Sequence, residues 1–382
     1  MKYLIRVIQY TVGLLFIFSG LVKANDPVGL SYKMHEFFEA WGLAGLNPAA
    51  FTFSVLMISF EVVAGVALLL ANPKKITLLL LMSLTVFFTF LTAYAKYATN
   101  DDGSPKFKAC GCFGDCIPLT PTQSFGKDLV LLLLISALIL GSKKLWQPLS
   151  NKVSYVVIIV SAILSLYAQY YTYTNLPMRD CLSFKVGNNI LQKKQYIPDS
   201  TLIQYTYTKG GKAYIVTPPN YPEWLLNEDS TYIQDTAKTI TKTIAEGNKG
   251  DIILDFALVN KAGIDTTEAI LSNPKTIYLL LITNIESSKN YDWEKAFTKI
   301  RSNTQATLAD SLSNKPPLYI VTNKVNEATA FFVNNYKVNA AQILFCDEKP
   351  LLAAGRTRPT LFKITNGVIV QKTSYANWGK LF

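Results

Sequence analysis

Residues 75–97 read KITLLLLMSLTVFFTFLTAYAKY, and this stretch decides the class of the fold. Its charged residues, Lys75 and Lys96, lie near its two ends, and the residues between them are almost all apolar. A helix needs about 20 consecutive, mostly apolar residues to cross the hydrocarbon core of a bilayer. The stretch therefore predicts a membrane-spanning helix.

Other stretches before about residue 175 have a similar length and composition. Together they predict a membrane all-α bundle of about five transmembrane helices, at residues 3–22, 51–71, 75–97, 127–141 with its flanks, and 153–174. The remaining 200 or so residues have the composition of a soluble domain. The predicted organisation is a bundle in residues 1–174, a linker or small β region in residues 175–245, and an α/β domain in residues 246–382.

Charge predicts the orientation of the bundle. The chain has a formal net charge of +11, but its basic residues form no aromatic-basic stripe, so nucleic acid is not expected as a partner. Short basic loops favour the cytoplasmic side of a membrane. The basic segments at residues 2–6, 72–75 and 143–152 therefore predict a cytoplasmic N-terminus in the inner (cytoplasmic) membrane of a bacterium. An odd number of spans then predicts a periplasmic C-terminal domain.

The densest chemical signal is the run Cys110-Gly-Cys112-Phe-Gly-Asp-Cys116, in a loop predicted to lie outside. Thiols there meet an oxidising compartment. Neighbouring thiols suit a disulfide relay, because exchange proceeds by attack of one thiolate on an adjacent disulfide. A permanent structural disulfide to Cys181, just beyond the last span, is an alternative, and so is a structural zinc site with an unusual spacing. Cys110, Cys112 and Cys116 are the candidate redox thiols, and Cys181 is the candidate disulfide partner.

Charged residues inside the predicted spans form a second candidate group. Glu61 lies in the middle of the second span, where an unpaired carboxylate is costly, so it must face the bundle interior, pair with a cation or be protonated. Arg6 and Lys127 are its expected partners, and Asp128 adjoins Lys127. A structural clamp between helices and a proton or ligand role both remain open. No metal cluster and no cofactor motif is evident, and a quinone is the candidate electron acceptor of a relay.

The C-terminal part alternates strand-like and helix-like patterns. Short strands are expected in the small β region, such as residues 202–208 and 213–217. The α/β domain is then predicted to contain strands at residues 252–259, 276–283, 318–322, 342–346, 360–364 and 368–372, helices at 293–312 and 327–336, a hairpin turn at Asn366-Gly367, and a short terminal helix. This order resembles a thioredoxin fold.

The thioredoxin resemblance lacks its usual catalytic motif. Thioredoxins place Cys-x-x-Cys at a helix start, where the thiolate has a lowered pKa. This chain has Asn284-Ile-Glu-Ser-Ser288 at the corresponding position, and Cys346 is expected to be a buried core thiol. The segment Arg358-Pro359-Thr360 resembles the cis-proline loop, so Pro359 marks a candidate groove for a partner. Thiol catalysis by this domain is therefore not expected.

The first 140 or so residues resemble the DoxX/MauE family of redox-associated membrane proteins. The resemblance rests on residues 12–23 with their Ser-Gly-x-x-Lys ending, on residues 38–42, and on Glu61 with Gly65. The cysteine run followed by residues 125–128 is similar to the MauE branch, which is tied to methylamine utilisation. The resemblance implies maturation or disulfide chemistry of exported proteins, without a settled enzymatic activity. A bundle of this kind fused to a TlpA/thioredoxin-like domain without Cys-x-x-Cys resembles membrane proteins of Bacteroidetes-type bacteria.

Two functions follow as hypotheses. In the first, the cysteine loop takes part in thiol–disulfide exchange with an exported client or a redox partner, which makes the protein at most a component of a thiol–disulfide oxidoreductase. In the second, it is a non-enzymatic membrane scaffold or assembly protein with static disulfides and a client-binding thioredoxin-like domain. The missing Cys-x-x-Cys favours the second hypothesis, and the crowded loop thiols favour the first.

Overall fold

The computed structural model describes residues 2–100, 105–107, 111, 113–114, 116–195, 200–218, 220–227, 229–245, 252–253, 255–304, 316–357 and 359–380. Over these residues, five helices are long and apolar enough to cross a membrane, which confirms the predicted bundle. The helices of the membrane part are, in chain order, α1 (Lys2–Ala24), α2 (Pro27–Ala40), α3 (Ala50–Leu70), α4 (Lys74–Tyr97), α5 (Pro121–Leu140) and α6 (Asn151–Thr174). All but α2 are candidate spans.

The spans alternate in direction, so the bundle has two distinct ends. At the end that we call the domain side, α1, α4 and α6 finish, α3 and α5 begin, and the soluble domain follows α6. The opposite end, which we call the far side, contains the turn between α3 and α4 and the connection between α5 and α6. Helix α2 packs at the domain side, where Phe37 stacks on Phe107 with ring centroids 4.8 Å apart.

Helices α1 and α3 pack closely against each other. A Cβ atom on Gly20 would lie 2.6 Å from Cγ2 of Val62 and 3.3 Å from Cβ of Glu61. Small residues allow membrane helices to approach closely where the surrounding lipid provides little hydrophobic driving force. The glycine thus brings the end of α1 against the part of α3 that carries Glu61.

The soluble part begins with a short helix and a small antiparallel sheet of order β2-β1-β3. Its elements are α7 (Ile190–Lys194), β1 (Ser200–Lys209), β2 (Lys212–Val216), α8 (Glu223–Leu226) and β3 (Ile233–Ala245). The rings of Trp224 and Tyr232 stack with centroids 3.9 Å apart beside this sheet. Strand β3 was not among the strands expected from sequence, because its Thr- and Lys-rich composition lacks an apolar face.

The larger sheet has the order β6-β5-β4-β7-β8, counted over the described residues. Strands β4, β5 and β6 are parallel neighbours, whereas β7 is antiparallel to both β4 and β8. With its helices on both faces, this is a thioredoxin-like α/β domain. Its elements are α9 (Thr267–Leu271), β4 (Ile277–Leu281), α10 (Ile285–Ser288), α11 (Trp293–Thr304), β5 (Leu318–Thr322), α12 (Val325–Tyr336), β6 (Ile343–Phe345), α13 (Glu348–Ala354), β7 (Thr360–Thr365) and β8 (Val368–Ser374).

Alternation along β4 divides the core between the two faces of this sheet. Tyr278 and Leu280 join the cluster under α11 and α12, whereas Leu279 and Leu281 join the cluster that includes Leu351 of α13. Side chains of a strand point alternately to opposite faces, so a fully apolar strand is buried on both. This pattern explains why β4 was predictable from sequence.

The expected strand at residues 252–259 is wrong. Ile253, Phe256 and Leu258 are buried in the core, but the described residues of this segment form only isolated bridges, from Val259 to Asp265 and to Phe345. Apolar spacing here reflects burial of an irregular segment. The expected helix at residues 293–312 is present as α11, and residues 305–312 lie outside the described part of the chain.

Residues assigned to the linker contribute to the thioredoxin-like core. Phe184 and Ile190 pack in the same cluster as Phe362, and the N–H of Ile190 donates to the carbonyl of Gly367 at 2.8 Å. The small sheet is therefore an insertion between two segments of one domain. Too little regular structure lies in residues 182–195 for a sequence pattern to reveal this.

Candidate functional site at the domain side

A buried ion pair joins α1 to α3. The Lys23 ammonium contacts the Glu61 carboxylate, and the two side chains are 3% and 1% exposed. Glu61 therefore faces the interior and pairs with a cation, but the expected partners, Arg6 and Lys127, are wrong. Arg6 lies at the far side, with its guanidinium 5.5 Å from the Trp146 ring.

A second ion pair lies on α5. The Lys127 ammonium is 2.7 Å from Oδ1 of Asp128, and the Thr92 hydroxyl donates to Oδ2 of Asp128 at 3.0 Å. The carboxylate is buried, whereas the Lys127 side chain is 22% exposed. The hydrogen bond from Thr92 links α4 to α5, whereas the ion pair lies within α5.

Both ion pairs line one small cavity inside the bundle, together with Ser19, Phe16, Leu15, Thr85, Phe88 and Leu131. Its volume is about 20 Å³, which is enough for about one water molecule. Oε2 of Glu61 is buried and has no hydrogen-bond partner among the described residues. One water molecule in this cavity can therefore donate a hydrogen bond to Oε2 of Glu61.

One described residue of the cysteine loop, Phe113, contacts Lys127, which lines this cavity. The Phe113 ring is buried, lies 6.1 Å from the Phe18 ring, and has the Lys127 ammonium 5.0 Å from its centre. The adjoining Gly114 has φ +60°, a conformation that favours glycine. Phe113 therefore connects the loop to Lys127, a member of the second ion pair.

A disulfide between Cys116 and Cys181 fixes the end of the loop. Asn25, directly after α1, uses its side-chain amide to donate to the carbonyl of Arg179 at 2.8 Å and to accept from the Arg179 N–H at 3.0 Å. These contacts hold the segment before Cys181 against α1. Cys110 and Cys112, the other candidate redox thiols, lie outside the described residues.

The thioredoxin-like domain contacts the bundle through charged side chains. Nε of Arg356 lies 3.0 Å from Oδ2 of Asp26, and its guanidinium lies 5.4 Å from the Tyr32 ring of α2. Oδ1 of Asp26 also accepts from the Gly29 N–H and so caps α2. Pro359, the candidate groove residue, lies three positions after Arg356, so the bundle's own helix α2 adjoins this loop.

A further ion pair strengthens the same junction. The Lys372 ammonium on β8 is 2.8 Å from Oδ2 of Asp180, next to the disulfide. Burial lowers the pKa of Lys372, and the neighbouring Asp180 carboxylate opposes this shift. Asn377 also donates to Oδ1 of Asn175 at the end of α6, at 2.7 Å.

The site of the missing Cys-x-x-Cys contains no thiol. The Asn284 side chain accepts from the Ser287 N–H and caps the short helix α10. Cys346 is fully buried at the end of β6, as expected, and burial raises its pKa to about 12. A thiolate is therefore scarce at Cys346 near neutral pH. The described residues contain no group of three or more His, Cys, Asp or Glu side chains that could hold a metal.

Lys23, Asp26, Arg356 and Thr92 are site residues that sequence reasoning did not select. Lys23 had a usable signal, since it shares the buried face of α1 with Val12, Phe16 and Ser19 at helical spacing. The contact between Asp26 and Arg356 had no such signal, because it joins opposite ends of the chain.

Comparisons with known proteins agree with the resemblance seen in the sequence. Residues 1–141 match the family model for methylamine utilisation protein MauE. The membrane part of this chain is MauE-like. Protein TlpB of Flavobacterium psychrophilum is 27% identical over 136 residues, which is 35% of this chain and 36% of that protein. The match thus spans about a third of the relative's length, and no solved structure matches the chain.

Proposed function

We propose that this MauE-like membrane protein takes part in thiol–disulfide chemistry or maturation of exported proteins, through the loop that carries Cys110, Cys112 and Cys116. The observation that carries the proposal is the bonding of Cys116 to Cys181, in a loop whose Phe113 contacts Lys127. The MauE match supports a redox-associated role. No thiol occupies the Cys-x-x-Cys position of the thioredoxin-like domain, so the exchange is assigned to the bundle.

The proposed exchange transfers two electrons from a pair of client thiols to a disulfide of the loop. A client thiolate attacks one sulfur of a loop disulfide, forms a mixed disulfide and releases the other sulfur as a thiolate. The client's second thiolate then displaces the loop sulfur, which leaves an oxidised client and a reduced loop. Cys110 and Cys112 are close to Cys116 in the sequence, so thiol–disulfide exchange can transfer the disulfide bond among these three residues. A partner disulfide reoxidises the loop by the reverse steps.

A quinone does not fit the cavity seen in the bundle. The cavity has room for about one water molecule, whereas small-molecule pockets are usually about 300 Å³ or larger. No step of the proposed exchange therefore passes through a quinone.

The proposed orientation places the domain side in the periplasm and the N-terminus in the cytoplasm of a bacterial inner membrane. The far-side segments at residues 1–8, 70–78 and 139–153 contain seven Lys or Arg residues and no Asp or Glu. Such a bias is typical of cytoplasmic loops. The Cys116–Cys181 disulfide at the other end suits an oxidising compartment.

A scaffold with static disulfides is the second candidate function. It is favoured by the junction, where the Cys116–Cys181 bond and the Arg356–Asp26 and Lys372–Asp180 ion pairs join the soluble domain to the bundle. In this function the thioredoxin-like domain docks a client near Pro359. Substitutions around Pro359 that leave every client crosslink intact would exclude this docking site.

Trapping of thiols in native membranes separates the two functions. Free thiols are blocked with an impermeant alkylating reagent, and disulfides are mapped by mass spectrometry before and after mild reduction. We expect Cys110, Cys112 and Cys116 to be a mixed, easily reduced population. We also expect C112S or C110S to accumulate a reducible adduct with the partner that reoxidises the loop, because the loop thiol that releases this partner is missing. A single pairing that resists mild reductant, with no adduct beyond that of C346A, would leave only the scaffold.

A further inference from the structure

We propose that the far-side end of the groove between α4 and α5 binds the phosphate headgroup of an anionic phospholipid. The groove has a volume of about 560 Å³. It is lined by residues at the start of α4 and the end of α5, namely Lys74, Lys75, Leu78, Leu79, Ile139, Ser142 and Lys143. Nothing in the redox proposal depends on this site.

The charge of the groove is uniformly positive. Lys74 and Lys75 approach it from α4, and Lys143 approaches it from the segment after α5. The described residues that line it include no carboxylate, and the far-side segments of the sequence contain none. Basic pockets between membrane helices are typical binding sites for anionic headgroups.

The start of α4 adds hydrogen-bond donors to this charge. Pro73 occupies the N-cap position and makes no side-chain cap, and the Asn72 side chain instead donates to the carbonyl of Asn151 at 3.4 Å. The first N–H groups of a helix have no partner within the helix and favour a phosphate. The lysines and the helix start therefore lie at the same end of the groove.

The wall of the groove indicates a lipid as the source of the phosphate. Leu79 is 68% exposed and Ile139 39% exposed, and both lie on helices that face the membrane. A free phosphate gains nothing from these side chains, whereas acyl chains pack against them. The combination of a basic end and an apolar wall at the membrane surface fits one phospholipid.

The test measures retention of phosphatidylglycerol and phosphatidylcholine by the full chain, using native mass spectrometry of the purified protein. The variant K74Q/K143Q removes two charges from the groove. The matched control K2Q/K152Q removes two charges from the same end of the bundle, at residues that do not line the groove. A lysine beside a bound anionic headgroup contributes about a fivefold preference for anionic lipid, so we expect a loss of about 20- to 30-fold in K74Q/K143Q.

Wild type and K2Q/K152Q should retain phosphatidylglycerol over phosphatidylcholine, and K74R/K143R should restore retention. An unchanged midpoint of thermal unfolding reports correct folding of each variant. An equal loss in the two glutamine variants would overturn the site. Equal retention of both lipids by the wild type would do the same. Displacement by millimolar inorganic phosphate would show a bare anion site and would overturn the assignment to a lipid.

Discussion

The bundle interior and the junction with the soluble domain both depend on ion pairs, but in different surroundings. Lys23 and Glu61 are almost completely buried in the membrane part, beside a cavity with room for about one water molecule, so a lost counter-charge is not replaced by bulk solvent. Asp26 and Arg356 at the junction are 13% and 6% exposed, and the junction also has a disulfide. In the bundle, a buried charge requires a partner of opposite charge, so few substitutions are tolerated there. At the junction, the ion pair and the disulfide together hold the soluble domain against the bundle.

The largest effect is expected for Glu61. E61Q leaves the Lys23 ammonium buried without its counter-charge, which should lower the free energy of unfolding by about 3–5 kcal/mol. Thermal unfolding in detergent measures this loss. The double variant K23L/E61L should be more stable than either single variant, because it leaves no buried charge. Additive losses in the double variant would contradict the direct pairing.

The next effect concerns the disulfide. C181S should lower the free energy of unfolding by about 2–4 kcal/mol, since a bond between residues 65 positions apart restricts the unfolded chain. Limited proteolysis should then cut the segment near residue 180 faster than in the wild type. The C346A variant is the control, because Cys346 forms no disulfide. Unchanged proteolysis in C181S would show that the charged contacts alone hold the junction.

Loss of the Arg356 charge tests those contacts. R356Q should cost about 2 kcal/mol, because it leaves the mostly buried Asp26 carboxylate without its counter-charge. Hydrogen exchange should rise near residues 26–32 and 355–360 and stay unchanged in α5. In a double-mutant cycle with D26N, the coupling free energy between the two residues should account for most of the loss seen in R356Q. Independent effects of the two substitutions would mean that the junction is held elsewhere.

The smallest effect is expected at Cys346, which lies in neither region. Its folded pKa of about 12 exceeds the usual value for an unfolded thiol of about 8.5. The unfolded state therefore loses the thiol proton first, so this contribution to stability is complete below about pH 8.5 and is lost as the pH rises toward 12. Full-length protein should resist alkylation at Cys346 at pH 9 until it is denatured. Rapid alkylation in the folded state would contradict its burial, and C346V should remove this pH dependence.

Much of the fold followed from local patterns in the sequence. The spans were predictable because a membrane helix satisfies its own backbone and needs only apolar length. Strand β4 was predictable because burial on both faces makes it a continuous apolar run. The strand predicted at residues 252–259 is wrong because the buried side chains there belong to an irregular segment, in which the N–H of Ile253 donates to the carbonyl of Lys193 and, of the described residues, only Val259 bonds to a strand, at Phe345.

The sequence by itself determined the membrane bundle, the thioredoxin-like order of elements and the loss of Cys-x-x-Cys, because these depend on residue type and spacing. Only the tertiary structure decided that Glu61 pairs with Lys23, that Cys116 bonds to Cys181, and that Arg356 meets Asp26. Each of these contacts joins residues that are far apart in the chain. Which cation or thiol comes within reach is set by how the helices pack and where the soluble domain rests, and a single sequence does not encode that choice in any local pattern.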